Sequence, residues 1–507
     1  MKKQAKGIIA LSAVLVAMLG GGYAYMKLNS EEGKESGEGN TSSTMELLAT
    51  QAVGQGTVLV SDGGNTGDVK EAVVKNSEGT LNVVVKEAAA DDKSTVYTLD
   101  EYKDLDVDTA VVGTLINNGN GIQAQSLVAE GCTDLGKYGL DKPAAEVEFT
   151  YESGNKVKFY IGDTAPSNSG TYFMVDGKND VYTVSTSTVS NYKKSANEFI
   201  SRTILAKPSD EEYPIVNSLR IERGGMDSDI FIKYDKSSED KHSGGTSASH
   251  LMVEPVECYL AVERSTDITN GMFGLTASSV YAPNCGEEDI EKAGLSKPFC
   301  TVTMECDDGN TYKLLLSEIF TDEDGNKCSY AMLEGGKVIY IVSADSAKWL
   351  TVQPIDIASR LLITAYVWNI TELSVSGGGE NVDFVIKSKD MNSIPDNPTA
   401  SDFIITKNGE EFAGERYRLF YSFLVSTNAE EFAVGVPVPD GKPMATIKYT
   451  DSYSGKTTTY DFYDDSVMRS LIVVNGESKY YCTKSYVKTL IENIKRIGTG
   501  EDYITNW

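Results

Sequence analysis

A chain of 507 residues is too long for one ordinary hydrophobic core, and at about 150 residues per domain it is expected to hold roughly three. Its 74 acidic residues against 46 basic ones leave a formal charge of −28, which repels phosphate backbones and argues against nucleic acid as a partner. Hydrophobic residues make up 40%, enough for packed domains rather than a disordered chain.

Lys2, Lys3 and Lys6 precede an uncharged apolar run from Gly7 to about Met26, close to the roughly 20 residues that a spanning helix requires. Basic residues before the run, and Glu31, Glu32, Glu35 and Glu38 after it, predict an uncleaved membrane anchor over 1–27 with the rest of the chain extracytoplasmic. A cleaved signal peptide is the competing reading, with Gly22-Tyr23-Ala24 as its small-x-small site. Residues 28–44 are rich in Glu, Gly and Ser and read as a flexible tether.

Three tandem units are expected to follow, over 45–206, 213–364 and 367–507. Each opens with a predicted hairpin of alternating apolar and polar residues around glycine: Glu71–Lys75 with Leu81–Val85, Ser218–Glu222 with Ile230–Lys233, and Glu372–Val375 with Val382–Ile386. Helix-compatible spacing appears at 106–116 and 415–425.

The element that organises each unit comes next: Tyr138-Gly139-Leu140-Asp141-Lys142-Pro143, then Ala293-Gly294-Leu295-Ser296-Lys297-Pro298, and more loosely Gly435-Val436 with Lys442-Pro443. The Lys-Pro pairs lie 155 and 145 residues apart. Proline fixes its own φ and biases the preceding lysine toward extended backbone, so the motif ends a turn and launches a strand. The launched strands match by parity: Ala145, Val147, Phe149 and Tyr151 with Cys300, Val302, Met304 and Cys306, and with Ala445, Ile447 and Tyr449.

Turns at Gly154, Gly309 and Gly455, a second hairpin turning at Gly177, Gly335 and Gly476, and returning strands through Tyr182, Tyr340 and Tyr480 complete the pattern. Ser185, Ser343 and Thr483 then begin segments suited to a closing helix, shortened in the middle unit by Pro354. The expected fold class is α+β, three strand-rich repeats of antiparallel hairpins with a closing helix each. Low-complexity insertions fall at 236–250 and 391–401.

The Tyr-Gly-Leu-Asp-Lys-Pro segment, its alternating strand, Ile161-Gly162-Asp163, the stretch from Tyr172 to Gly177, Val181-Tyr182-Thr183-Val184 and the closing helix resemble the bacterial family known as domain of unknown function 4340 (DUF4340). The likeness is close over about 70–205 and recognisable over 213–363, where Ser317-Glu318 replaces the Gly-Asp. It is degenerate from 367 onward, where the interval from Gly to Pro is longer by four residues. The resemblance implies a membrane-anchored envelope protein with a role beside an ABC-type exporter or as a surface scaffold. It carries over no catalytic residue.

Candidate chemistry is sparse. His242 and His250 are the only histidines, and both lie in the Ser/Gly-rich insertion, where a flexible loop would not hold a general base in place. Asp104, Asp106 and Asp108 alternate, and Asp322-Glu323-Asp324-Gly325-Asn326 has the look of a calcium loop without its terminal Glu. Gly377-Gly378-Gly379 lacks the Lys-Ser/Thr of a phosphate cradle. The seven cysteines form no C-x-x-C, and five fall in the middle unit, the one place for disulfides; Cys300 and Cys306 read as inward core thiols. The 28 tyrosines admit a glycan- or peptide-binding face, whereas Trp349, Trp368 and Trp507 do not recur at matching positions. No catalytic, cofactor or metal residue is assigned. The leading expectation is a non-enzymatic, membrane-tethered interaction or scaffolding protein partnered with envelope or ABC-type transporter proteins. The alternative is a cell-wall glycan-binding module, and a carboxylate-dependent hydrolase ranks last.

Overall fold

The computed structural model describes residues 55–63, 67–86, 95–239, 248–390, 395 and 397–507. The expected anchor over 1–27, the tether over 28–44 and His242 lie outside the described residues. Among the described residues no helix is long and apolar enough to cross a membrane. The architecture is dominated by antiparallel strands, with short helices as covers.

The chain divides into two compact units. The smaller takes residues up to 66, 118–146 and 157–190. It contains the strand order Lys156–Thr164 (all but its first residue), Thr171–Val175, Val181–Val184, Ser126–Ala129, and a small separate sheet of Val58–Val60 with Ile122–Gln123. The larger unit takes 67–117, 147–156 and 191–507. Its first strands are Val96–Leu99, Gly79–Lys86, Val69–Asn76 and Ala145–Tyr151.

Two broad sheets fill the rest of the larger unit. One runs Cys258–Tyr259, His250–Glu254, Ile230–Tyr234, Val216–Arg223, Cys300–Cys306, Thr311–Leu316, Lys327–Leu333, Val338–Ser343, Ser279–Pro283. The other runs Glu410–Glu411, Phe403–Lys407, Glu380–Ser388, Ile370–Gly377, Ala445–Asp451, Thr457–Asp464, Arg469–Val474, Glu477–Thr483, Glu431–Phe432. Strand for strand the two orders are the same.

The parity read from the sequence holds in every launched strand. Ala145, Val147, Phe149 and Tyr151 are buried, as are Cys300, Val302, Met304 and Cys306, and Ala445, Ile447 and Tyr449. Their polar neighbours stay at the surface because successive side chains leave a strand on opposite faces. The opening hairpins form at the expected places, with Leu219 opposite Ile232 and Leu373 opposite Phe384. Gly378 and Gly379 sit at φ 61° and 91°, the left-handed pair that a two-residue turn between right-twisted strands needs. Ile491 of the last helix lies directly over that turn, so the glycine run serves helix packing as well.

Closing helices are where the expectation has to be corrected. Only Lys484–Thr499 is a full helix; it buries Tyr486, Val487, Leu490, Ile494 and Ile497 on one face. In the first segment the chain makes separate turns at Thr186–Val189, Ser190–Lys193 and Ala196–Phe199. The run is rich in Ser, Thr and Asn, whose side chains compete with the helical backbone, and a capping box at Ser195 restarts the chain. In the middle segment Pro354 opens a one-turn helix, Pro354–Ile357, rather than interrupting a longer one. Ser185 and Thr483 occupy N-cap positions, yet neither side chain makes the capping hydrogen bond.

Candidate functional site

Most residues singled out in the sequence turn out to hold the fold. Asp104 pairs with Lys337 at 3.1 Å, Asp106 accepts the Ser201 N–H through its carbonyl, and Asp108 accepts from the Val111 N–H at 3.1 Å at the start of helix Thr109–Asn117. Asp322 accepts from the Asn326 backbone N–H at 2.7 Å and from its amide at 3.0 Å, closing a tight turn on Gly325. Among the described residues no group of three or more His, Cys, Asp or Glu is placed to hold a metal ion.

His250 departs from expectation. It is the first residue of a sheet strand, not part of a loose loop. Its Nε2 lies 2.8 Å from the Val216 carbonyl and its Nδ1 2.9 Å from Ser249 Oγ, while burial lowers its pKa. Both nitrogens are engaged, so the ring acts as a strand tie.

All seven cysteines are free thiols. Burial pushes the Cys300 and Cys482 thiols up to about 12, and that of Cys306 to about 11. Cys300 and Cys306 are core thiols, as their parity predicted. A thiol that stays protonated in the folded state supports stability below its unfolded pKa, near 9, and that support fades as pH rises toward 12. Between about pH 9 and 12 each of Cys300 and Cys482 should therefore subtract on the order of 1 kcal/mol per pH unit. Urea titrations at pH 8 and 10 of the parent and a Cys300→Ala, Cys482→Ala variant check this: the parent should lose more stability between the two pH values.

The described cavity that gathers unexplained chemistry is a groove of about 510 Å³ in the smaller unit. Its floor spans three strands. Thr183 pairs with Tyr172 on one side and Ser126 on the other, so the three side chains stand in a row on one face. Ser126 Oγ and Thr183 Oγ1 are 2.8 Å apart. Gln125, Val128, Ala165, Pro166 and Ser169 form the walls with Gln55. All nine described lining residues are uncharged, in a chain of which 24% is charged.

The wall contributed by the 165–170 connection is held in an uncommon conformation. Ser167 and Asn168 both sit at positive φ, 59° and 53°, a state that costs non-glycine residues and tends to be kept where it serves a site. Ser169 Oγ donates to the Pro166 carbonyl at 2.9 Å. In the orientation that satisfies both its polar atoms, the Gln125 amide donates to the Ser169 and Val184 carbonyls at 3.2 Å each. Gly170, at φ 139°, lets this happen, because a Cβ there would lie 2.5 Å from the Gln125 amide and 2.8 Å from the Val184 carbonyl.

The Tyr-Gly-Leu-Asp-Lys-Pro segment flanks the groove on the same face of the sheet, packing beside Tyr172. Leu140 packs with Met174 and Val181, and Tyr138 meets Tyr172 edge to face at 4.9 Å. Gly139 and Gly162 permit the approach: a Cβ on Gly139 would be 2.5 Å from the Asp163 carboxyl carbon, and one on Gly162 would be 2.2 Å from the Tyr138 carbonyl oxygen.

The same register is treated differently in the two broad sheets. In the first of them Thr183, Tyr172 and Ser126 are matched by Ile341, Tyr330 and Ser279. A bulge places Tyr281 where Val128 stands in the smaller unit. Tyr281 packs on Tyr330 at 4.6 Å, and Phe320 stacks on the same ring at 4.7 Å, filling the space. In the other sheet the matching residues are Tyr481, Leu471 and Glu431. There Arg469 pairs with Glu431 at 2.8 Å and lies 4.0 Å over the Tyr481 ring. The groove was missed in the sequence because its parts are far apart in the chain, Ser126 and Thr183 by 57 residues; the signal available was Ser167-Asn168 flanked by Pro166 and Gly170, a turn cluster on a repeat's variable connection.

Comparisons with curated proteins and with solved structures return no match. The groove strands, the glycine pair and the Lys-Pro element all fall within residues 98–228, and that segment matches the family model described as "Domain of unknown function (DUF4340)".

Proposed function

We propose that this chain is a non-enzymatic, extracytoplasmic binding protein, tethered to the membrane through 1–27 and built from three copies of one strand-rich module over 45–206, 213–364 and 367–507. The observation that carries the reading is a repeated strand order whose side chains differ at one shared address: open and hydroxyl-lined, filled with aromatic rings, or closed by an arginine ion pair. Duplicated scaffolds diverge in this way when each copy presents its own surface, because loops and sheet ends can vary without disturbing the core. The partners proposed are envelope proteins, including subunits of an ABC-type exporter.

The test is made on cells carrying the intact protein. The chain should stay with membranes through an alkaline carbonate wash and be cut by protease added outside the cell. Cross-linking followed by purification should recover envelope or exporter subunits. A chain that washes free and resists external protease, or that cross-links only to cytoplasmic proteins, would refute the reading.

A second reading, a module for cell-wall glycan, is favoured by one feature, the uncharged lining of the groove.

A further inference from the structure

We propose that the groove bounded by Ser126, Val128, Tyr172 and Thr183 binds a neutral oligosaccharide, with the Tyr172 ring as stacking surface and the Ser126 and Thr183 hydroxyls as polar contacts. The inference rests on the glycan reading just given and assigns it a site.

Three observations carry it. First, the lining is uncharged, so a phosphate, carboxylate or ammonium group entering the groove would be desolvated without a counter-charge. A neutral sugar has no such cost. Second, the groove offers groups that both donate and accept, the Ser126 and Thr183 hydroxyls, next to a half-buried aromatic ring. Sugar hydroxyls need partners of that kind, and the C–H face of a pyranose lies on a tyrosine ring while the phenol end stays wet. Third, the outer strand argues against an extended peptide adding to the sheet. Ser126–Ala129 carries a bulge at Val128, and bulges at sheet edges interrupt the regular row of backbone groups that strand addition requires.

The chain contains its own control. At the matching bulge of the middle sheet Tyr281 covers Tyr330, which shows that this fold accommodates a tyrosine there. Val128 is 39% exposed and sits over the open groove, so Val128→Tyr should plug the site and leave the core intact.

The experiment uses the full chain in a non-glycosidic detergent, titrated calorimetrically with fully N-acetylated chitotetraose, with maltotetraose and with a neutral Ala-Gly peptide. At least one oligosaccharide should bind, and the peptide should not. Val128→Tyr and Tyr172→Ala should each weaken binding at least about tenfold, whereas Tyr172→Phe should stay within about threefold of the parent. Melting temperatures of Val128→Tyr and the parent should coincide, which separates plugging from misfolding. The proposal is overturned if neither sugar binds, if Val128→Tyr binds as well as the parent, or if the peptide binds instead. A chain that is anchored and captures envelope proteins yet ignores both sugars would sink this proposal alone.

Discussion

Replacing Trp349 by alanine should cost about 4 kcal/mol, the largest effect of any single change considered. Trp349 is fully buried, and its indole Nε1 donates to the Ile268 carbonyl at 3.0 Å. Its own carbonyl accepts from the Arg223 guanidinium at 2.7 Å, and a second arm of that guanidinium reaches the Val352 carbonyl at 2.8 Å. One residue therefore ties the segment after strand Val338–Ser343 to strand Val216–Arg223. Truncation leaves a cavity beside Gly271 in the core of the middle sheet, plus the Ile268 carbonyl without its donor. Hydrogen exchange read by mass spectrometry should show amides of strands Val216–Arg223 and Cys300–Cys306 opening roughly a thousandfold faster, the equivalent of that energy. Trp349→Phe, which keeps most of the volume, should lose far less. Equal exchange in parent and alanine variant would show that the middle sheet does not depend on this ring.

Gly162→Ala is the second large effect, at about 3 kcal/mol. The new methyl would stand 2.2 Å from the Tyr138 carbonyl oxygen and 3.1 Å from the Leu140 side chain. Backbone is the obstacle, so no rotamer change relieves the clash; the turn Leu135–Tyr138 has to move. Since Tyr138 rests on Tyr172, the shift should reach the groove, and the variant should combine a lower melting temperature with weakened oligosaccharide binding. The middle sheet has solved the same geometry otherwise. Ser317 stands in place of the glycine there, and a Cβ on Gly294 would meet it at an ordinary 3.9 Å. A Gly162→Ala protein with unchanged melting and binding would disprove the coupling.

Much of the fold was legible because its signals are local. A proline after lysine launches a strand, an Asn-Gly pair such as Asn475-Gly476 closes one, and alternation declares which side faces the core. The middle closing segment was legible in part: Pro354 was seen, but its role as the first residue of a new turn depends on what packs against it. His250 was misplaced because the composition around it is that of a loop, while the strand it joins is specified by Ile230–Tyr234 across the ladder.

By itself the amino-acid order determined the strands, their inward faces, the glycine turns and the resemblance that residues 98–228 bear out, since each of these is set by neighbours within a few positions. Only the tertiary structure decided where a ligand could sit. Ser126, Tyr172 and Thr183 become adjacent through pairing across strands, and whether the space before them is open or filled turns on the side chain at a single bulge, valine in one sheet and tyrosine in another. Cross-strand register and the volume at one position are properties of the folded sheet, not of any short stretch of chain.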